Sequence, residues 1–322
     1  MSNNLKYKKR MKKIWLIGAG NIAKEYAKVL GELNQDYVVI GRGEDKAKAF
    51  EKEIGHTVIR GGLSDFIVKT TDIADYAIVS VGLMQLAETT KTLISCGVKN
   101  ILVEKPGFCN PSELEEVVNM ACNYNSRVDI AYNRRFYSSV FKAEDIICED
   151  GGITSFNFEF TEWGHVIEKL DYTKEIFRNW FYANSTHVVD LAFFLGGAPQ
   201  QMQSYTSGKL SWHKPSIFSG AGVSKKGALF SYQANWDAPG RWVVEILTPK
   251  HRLYFKPMEK LQIQEKGSVV VNPIEINDYL DKQFKPGFYL QTKAFLADDM
   301  SRFCSIEQQL EHLRIYYKIL NI

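Results

Sequence analysis

The sequence predicts an α/β protein: a doubly wound parallel sheet first, then an α+β unit built on a large, mostly antiparallel open sheet. Three observations carry this expectation. Apolar strand-like runs alternate with helical segments six times between Lys13 and Ala131, as in a parallel sheet covered on both faces. A glycine turn joins the first strand to its helix. After Gly151-Gly152 the pattern changes to the period-two alternation of half-buried strands.

Composition narrows the function. Apolar residues make up 45% and charged residues 24%, the balance of an ordinary globular protein. The net charge of +3 comes from a cluster of Lys6, Lys8, Lys9, Arg10, Lys12 and Lys13. Without that leader the chain is slightly acidic, which argues against a nucleic-acid partner. No apolar run approaches the ~18 residues of a membrane span, and IWLIGAG is too short for a signal peptide. A cytoplasmic protein with no membrane partner is therefore expected. The five cysteines are odd in number and lack C-x-x-C spacing, so neither a disulfide framework nor a metal site is predicted.

The first strand, Lys13 to Ile17, runs into Gly18-Ala19-Gly20-Asn21-Ile22-Ala23. The helix that follows shows its buried stripe in Ala23, Ala27 and Leu30. In G-x-G-x-x-A the first glycine allows a tight turn and the second lets a pyrophosphate approach the backbone. The small third residue lets helix and strand pack closely. Gly18, Gly20, Asn21 and Ile22 are therefore candidate cofactor-binding residues of a Rossmann-type fold. The second strand, Tyr37 to Ile40, ends in Gly41-Arg42-Gly43 where an acid would grip the ribose of NAD. Arg42 suits the 2′-phosphate of NADP, while Glu44 and Asp45 follow closely and begin the next helix. The cofactor is NADP or NAD, with NADP favoured.

Thr57–Arg60, Tyr76–Val81, Ile101–Val103 and Arg127–Ala131 continue the strands, with helices over 63–69 and 85–95 between them. Asn110-Pro111-Ser112-Glu113 reads as a helix start, with Pro at the first helical position and Glu at the third. Ligands bind beyond the carboxyl ends of such strands. Ser80, Glu104 and Lys105 are thus expected on the cofactor crevice. We place a dinucleotide-binding domain at 1–133, with a basic leader over 1–12 expected to be disordered. A substrate-binding and oligomerisation domain follows at 134–322.

The Rossmann half, a strand ending in Glu104-Lys105-Pro106, and Tyr132-Asn133-Arg134-Arg135-Phe136 together resemble the Gfo/Idh/MocA family. That family includes glucose–fructose oxidoreductase, inositol dehydrogenases and other sugar dehydrogenases. The resemblance implies that Lys105 is catalytic beside the nicotinamide, and that the histidine of a later Asp-x-x-x-His helix, here His187, is the acid/base. Two positions depart from the family: Ala183 replaces the Asp, and Leu86 stands where many members carry His. They imply either altered substrate handling or lost catalysis. The resemblance also implies a homodimer or homotetramer formed through the second sheet.

In the second half, strands are predicted at 153–163, 200–205, 228–236, 241–248, 251–255 and 260–265, and a helical segment over 290–319 returns to brace both domains. Asn184 or Ser185 would cap the helix that ends at Gly196-Gly197. That puts His187 at its positive end, where the imidazole stays neutral. Asp190, one turn on, is expected to be structural. Tyr132, Arg134, Trp163, His165, Arg178 and Asn184 are candidate contacts to a carbohydrate-like substrate, with Trp180 and Tyr182 nearby. The expected reaction moves a hydride between nicotinamide and a secondary alcohol or ketone of a sugar, sugar derivative or nucleotide sugar. Alternatives are an NAD-retaining enzyme that cleaves glycosides and a non-catalytic dinucleotide sensor.

Overall fold

A computed structural model of the chain describes residues 12–322. The leader expected over 1–12 lies outside the described residues except for Lys12, which donates to the Tyr76 hydroxyl at 2.7 Å and pairs with Asp298 at 3.3 Å.

The first six strands are β1 (Ile14–Ile17), β2 (Tyr37–Ile40), β3 (Val58–Ile59), β4 (Tyr76–Val79), β5 (Asn100–Glu104) and β6 (Arg127–Ala131). All pair in parallel, in the order β6-β5-β4-β1-β2-β3. The chain winds outward in two directions from the β1–β4 pair, and the crevice beyond that reversal is where such sheets bind ligands. Every residue of β1 is buried because helices cover both faces. The helix Asn21–Glu32 buries Ala23, Tyr26, Ala27, Val29 and Leu30, the stripe read from the sequence. The helix Pro111–Tyr124 starts where expected, its Glu113 carboxylate accepting from the N–H groups of Cys109 and Asn110 at 2.9 Å. The Asn110 side chain also reaches across to the second half, donating to Glu175 at 2.6 Å and accepting from Asn179 at 3.2 Å.

The second sheet contains β7 (Ser155–Glu159), β8 (Pro199–Ser207), β9 (Ile217–Ser224), β10 (Leu229–Asn235), β11 (Val243–Leu247), β12 (His251–Phe255), β13 (Gln262–Glu265) and β14 (Val271–Pro273). Their order is β14-β13-β12-β11-β7-β10-β9-β8, antiparallel throughout except for the β7–β10 pair. Strands β9 and β14 were not expected. In β9, glycines remove the β-branched signal because packing leaves no room there. A Cβ at Gly220 would lie 2.4 Å from the Tyr232 ring, and one at Gly222 would lie 2.1 Å from the Gln201 carbonyl. β14 is exposed along its length and so shows no alternation.

One face of this sheet is covered by the helix Thr186–Gly196, whose Phe193 meets Phe156 and Phe158 edge-on at 6.0 and 5.5 Å between ring centroids. The other face is open and carries exposed Tyr205 and Leu229.

The segment over 290–319 is not one helix. It forms Phe288–Leu296 and Ile306–Leu320, parted by a turn in which Asp298 takes a left-handed φ of +59°. Between them β15 (Cys304–Ser305) pairs antiparallel with β6 and gives the first sheet a seventh strand. Ser305 and Gln308 then restart the helix with reciprocal side-chain-to-backbone bonds at 3.3 Å. This last helix packs on both Pro111–Tyr124 and β8.

Beyond β6 the chain makes a tight turn, Asn133–Phe136. Its Arg135 donates two hydrogen bonds to Asp190, at 2.9 and 2.6 Å, and both side chains are buried. Asp190→Ala would leave the guanidinium buried without a counter-charge. Such a loss costs ~3–5 kcal/mol, to be read as a lowered midpoint in urea unfolding. A loss of only ~1 kcal/mol, as for exposed pairs, would show that the pair does not hold the fold.

Candidate active site

The glycine turn after β1 is shaped for a phosphate. Gly18 has a φ of +117°, and a Cβ there would lie 2.6 Å from the Ser80 carbonyl. Ser80 is itself fixed by donating its hydroxyl to the Ile17 carbonyl at 3.1 Å. A Cβ at Gly20 would meet no atom within 4 Å. The helix beginning at Asn21 has no side-chain cap and no acid in its first turn, so its N–H groups and positive end are free for an anion. These residues fit a dinucleotide pyrophosphate. Past β2, Arg42 is exposed and makes no ion pair among the described residues. Glu44, two positions on in the sequence, pairs with Arg60 at 2.7 Å and Lys48 at 3.4 Å.

Beyond the carboxyl ends of β4, β5 and β6 lies a cavity of about 600 Å³. On one side are Ile22, Leu86, Glu104, Lys105 and Arg134; facing them are Trp180, Ala183, Asn184 and His187; Glu259 and Lys285 complete the wall. Lys105 and His187, assigned from distant parts of the sequence, meet here. Leu86 makes its part of the wall apolar.

Lys105 donates to the backbone carbonyl of Ala183. Burial pushes its ammonium down to about 8, against the pull of Glu104. Glu104 accepts from the Tyr26 hydroxyl at 2.8 Å, and burial raises its carboxyl. His187 is buried and makes no hydrogen bond among the described residues, and its Nδ1 is fully enclosed. Burial drives its pKa well below the ordinary value, helped by the charges of Arg134, Lys105 and Lys285.

The neutrality expected for His187 thus has a different cause. A π-helical turn, Phe181–Ser185, runs straight into the helix Thr186–Gly196, and Ser185 already has helical angles of −65° and −25°. Neither Asn184 nor Ser185 caps a free helix end. Both side chains donate to Glu162 instead, Asn184 at 3.1 Å and Ser185 at 2.8 Å. Glu162 is buried at the end of the β7 segment and accepts from Arg241 at 3.4 Å; burial raises its carboxyl to about 7. Sequence reasoning missed it. It lies inside the stretch predicted as strand over 153–163, three residues past the observed end of β7, and an acid there looks like any strand charge until the fold brings Asn184 to it. Trp242, also missed, carries the Arg134 guanidinium over its ring at 4.8 Å and lies 6.1 Å from the His187 ring.

The remaining substrate candidates do not reach the cavity. Tyr132 is in the core, its hydroxyl bonded to Gln309 at 3.2 Å and Tyr316 at 3.1 Å. Trp163 is half exposed, donating to the Gly240 carbonyl at 2.9 Å under the Arg241 guanidinium. His165 and Arg178 lie on the exposed faces of short helices, Gly164–Ile167 and Lys174–Arg178. Arg134 and Asn184 do line the cavity.

Residues 12–132 match the Gfo/Idh/MocA family model, described as an oxidoreductase family with an NAD-binding Rossmann fold. No curated protein matches the chain in sequence. Among solved structures, levoglucosan dehydrogenase in complex with NADH superposes with a TM-score of 0.78 at 16% identity, over 97% of this chain and 96% of that one. UDP-N-acetylglucosamine 3-dehydrogenase from Acidithiobacillus ferrooxidans gives 0.72 at 13% identity, over 97% and 98%. The WlbA dehydrogenase from Chromobacterium violaceum, solved with NADH and UDP-GlcNAcA, gives 0.70 at 16% identity, over 97% and 93%. At these identities the likeness establishes a shared fold along nearly the whole chain.

The two glycines of the turn yield a paired test. Gly20→Asp meets no protein atom, so unfolding should stay unchanged while NADPH binding weakens by ~100-fold or more through like-charge repulsion. Gly18→Ala strains the turn itself and should lower stability as well. Unchanged NADPH affinity in Gly20→Asp, measured by fluorescence titration, would remove the glycine turn as the pyrophosphate site.

Proposed function

We propose that this chain, whose residues 12–132 are the NAD-binding Rossmann domain of the Gfo/Idh/MocA oxidoreductase family, is an NAD(P)-dependent dehydrogenase acting on a secondary alcohol or ketone of a carbohydrate-like substrate. The observation that carries the proposal is Lys105 and His187 lining one cavity beside the glycine-turn helix. Gly18, Gly20 and the bare helix start would hold the dinucleotide, which supplies the acceptor or donor of hydride.

Lys105, protonated, donates to the reacting oxygen and stabilises the negative charge that grows there as the C–H bond breaks. His187, neutral and without a protein partner, takes the hydroxyl proton, and returns it when a ketone is reduced. Asn184, held by Glu162, shapes the wall beside them. The exposed Arg42, with no ion pair among the described residues, supports NADP as the cofactor; of the two acids that follow it, Glu44 pairs with Arg60 and Lys48, while Asp45 is the one left to compete. Assembly as a homodimer or homotetramer through the open face of the second sheet belongs to the same proposal.

Lys105→Met should lower turnover by ~10²-fold or more, and His187→Ala by ~10² to 10⁴, with NADPH affinity little changed. The assay is a spectrophotometric screen of sugars and their derivatives with both cofactors. Normal turnover in His187→Ala would assign the proton transfer to another group. Turnover should also fall as pH rises through about 8, where Lys105 loses its proton. Lys105→Arg should move that limb upward; an unmoved limb would show that Lys105 is not its source. Binding titrations of Arg42→Ala should show a loss of NADPH preference over NADH, and an unchanged ratio would refute NADP selection by Arg42.

A further inference from the structure

We propose that the substrate carries an anionic group, a carboxylate or a phosphate, and that Arg134 receives it with Lys285 alongside; this rests on the dehydrogenase reading of the same cavity. The turn Asn133–Phe136 presents two arginines in succession, and they differ in one respect. Arg135 has its charge matched by both oxygens of Asp190. Arg134 makes no side-chain hydrogen bond and no ion pair among the described residues, although its Nε is fully enclosed. Arg134 is only partly buried, but a guanidinium even partly withdrawn from water is usually given a counter-charge.

Its surroundings do not supply one. The guanidinium lies over the Trp242 ring at 4.8 Å and the Tyr137 ring at 5.9 Å. Glu259, Glu162 and Arg241 act on it only at longer range. Glu259 is engaged by the Tyr137 hydroxyl at 3.5 Å. Lys285 makes no ion pair among the described residues and lies 5.7 Å from the Phe288 ring, and Lys105 is bonded to a backbone carbonyl instead of an acid. Of the two carboxylates on the wall, Glu104 is held by Tyr26. The cavity wall therefore carries three cations and two acids, one positive charge in excess, with an enclosed donor at Arg134 and another at Trp180 Nε1. A neutral polyol would leave that charge uncompensated, whereas an anion accepts the guanidinium's paired N–H groups.

The cofactor's pyrophosphate is not this anion. Arg134 follows β6, three positions along the sheet from β1 and its glycine turn, or ~14 Å at ordinary strand spacing.

The test uses the full chain saturated with NADP⁺, titrated calorimetrically with glucose, glucuronate, glucose 6-phosphate and UDP-glucose. At least one of the three anions should bind ~10-fold or more tightly than glucose. Which of them does so distinguishes a carboxylate, a phosphate and a diphosphate. Arg134→Gln should erase the advantage with NADP⁺ binding intact, and Arg134→Lys, keeping charge without the fork, should restore part of it. Glucose binding as tightly as every anion, no anion binding, or an undiminished advantage in Arg134→Gln would overturn the proposal. Hydride transfer from neutral sugars alone would leave the dehydrogenase reading standing and the anion site refuted. Anion binding through Arg134 with no turnover of any compound would do the reverse.

Discussion

The buried pair between Arg135 and Asp190 sets the geometry of the cavity. Arg135 follows β6 in the first sheet, and Asp190 lies on the helix covering the second sheet. Each stands close in sequence to a residue of the wall: Arg134 precedes Arg135, and His187 is one helical turn before Asp190. Fixing the two charges against each other therefore fixes the walls against each other. Arg302 adds to the clamp by donating to the Arg135 carbonyl at 2.9 Å, which ties in the chain's last segment. Two charges out of water hold together only when the geometry is this close and the remaining donors are also met.

The electrostatics follow from the same enclosure. Burial lowers Lys105 to about 8 and raises Glu162 to about 7, bringing an amine and an acid that differ widely in water into one narrow range. Ala183 contributes through its backbone: its carbonyl holds the Lys105 ammonium. Glu162, three residues past the end of β7, accepts from the Asn184 side chain and so orients it.

Much of the first half was legible because its signals are local. A parallel strand is a short apolar run, a glycine turn has its own chemistry, and Glu113 marks a helix start within a few residues. The second half was read less well for equally physical reasons. Gly220 and Gly222 make room for Tyr232 and the β8 backbone, a requirement visible only once the sheet exists. Likewise Asn184 and Ser185 look like caps until Glu162 arrives beside them. Aromatic and charged residues near His187 in sequence, such as His165 and Arg178, proved exposed, whereas Trp242 and Lys285 came from far along the chain. Lys105 and His187 could be singled out because the resemblance rests on short motifs; Glu162, Trp242 and Lys285 could not, because their place beside that cavity is a tertiary property.

The seventh strand of the first sheet is made of Cys304 and Ser305, near the chain's end. During synthesis the other six strands emerge long before it, and until it arrives β6 has an unpaired edge with buried-type residues Val128 and Ile130 beside it. An open edge of that kind recruits other strands, including those of neighbouring nascent chains. The first sheet is thus complete only once Cys304 and Ser305 have been made. Its completion waits for the rest of the polypeptide, and a chain cut short anywhere before residue 304 is left with that edge exposed.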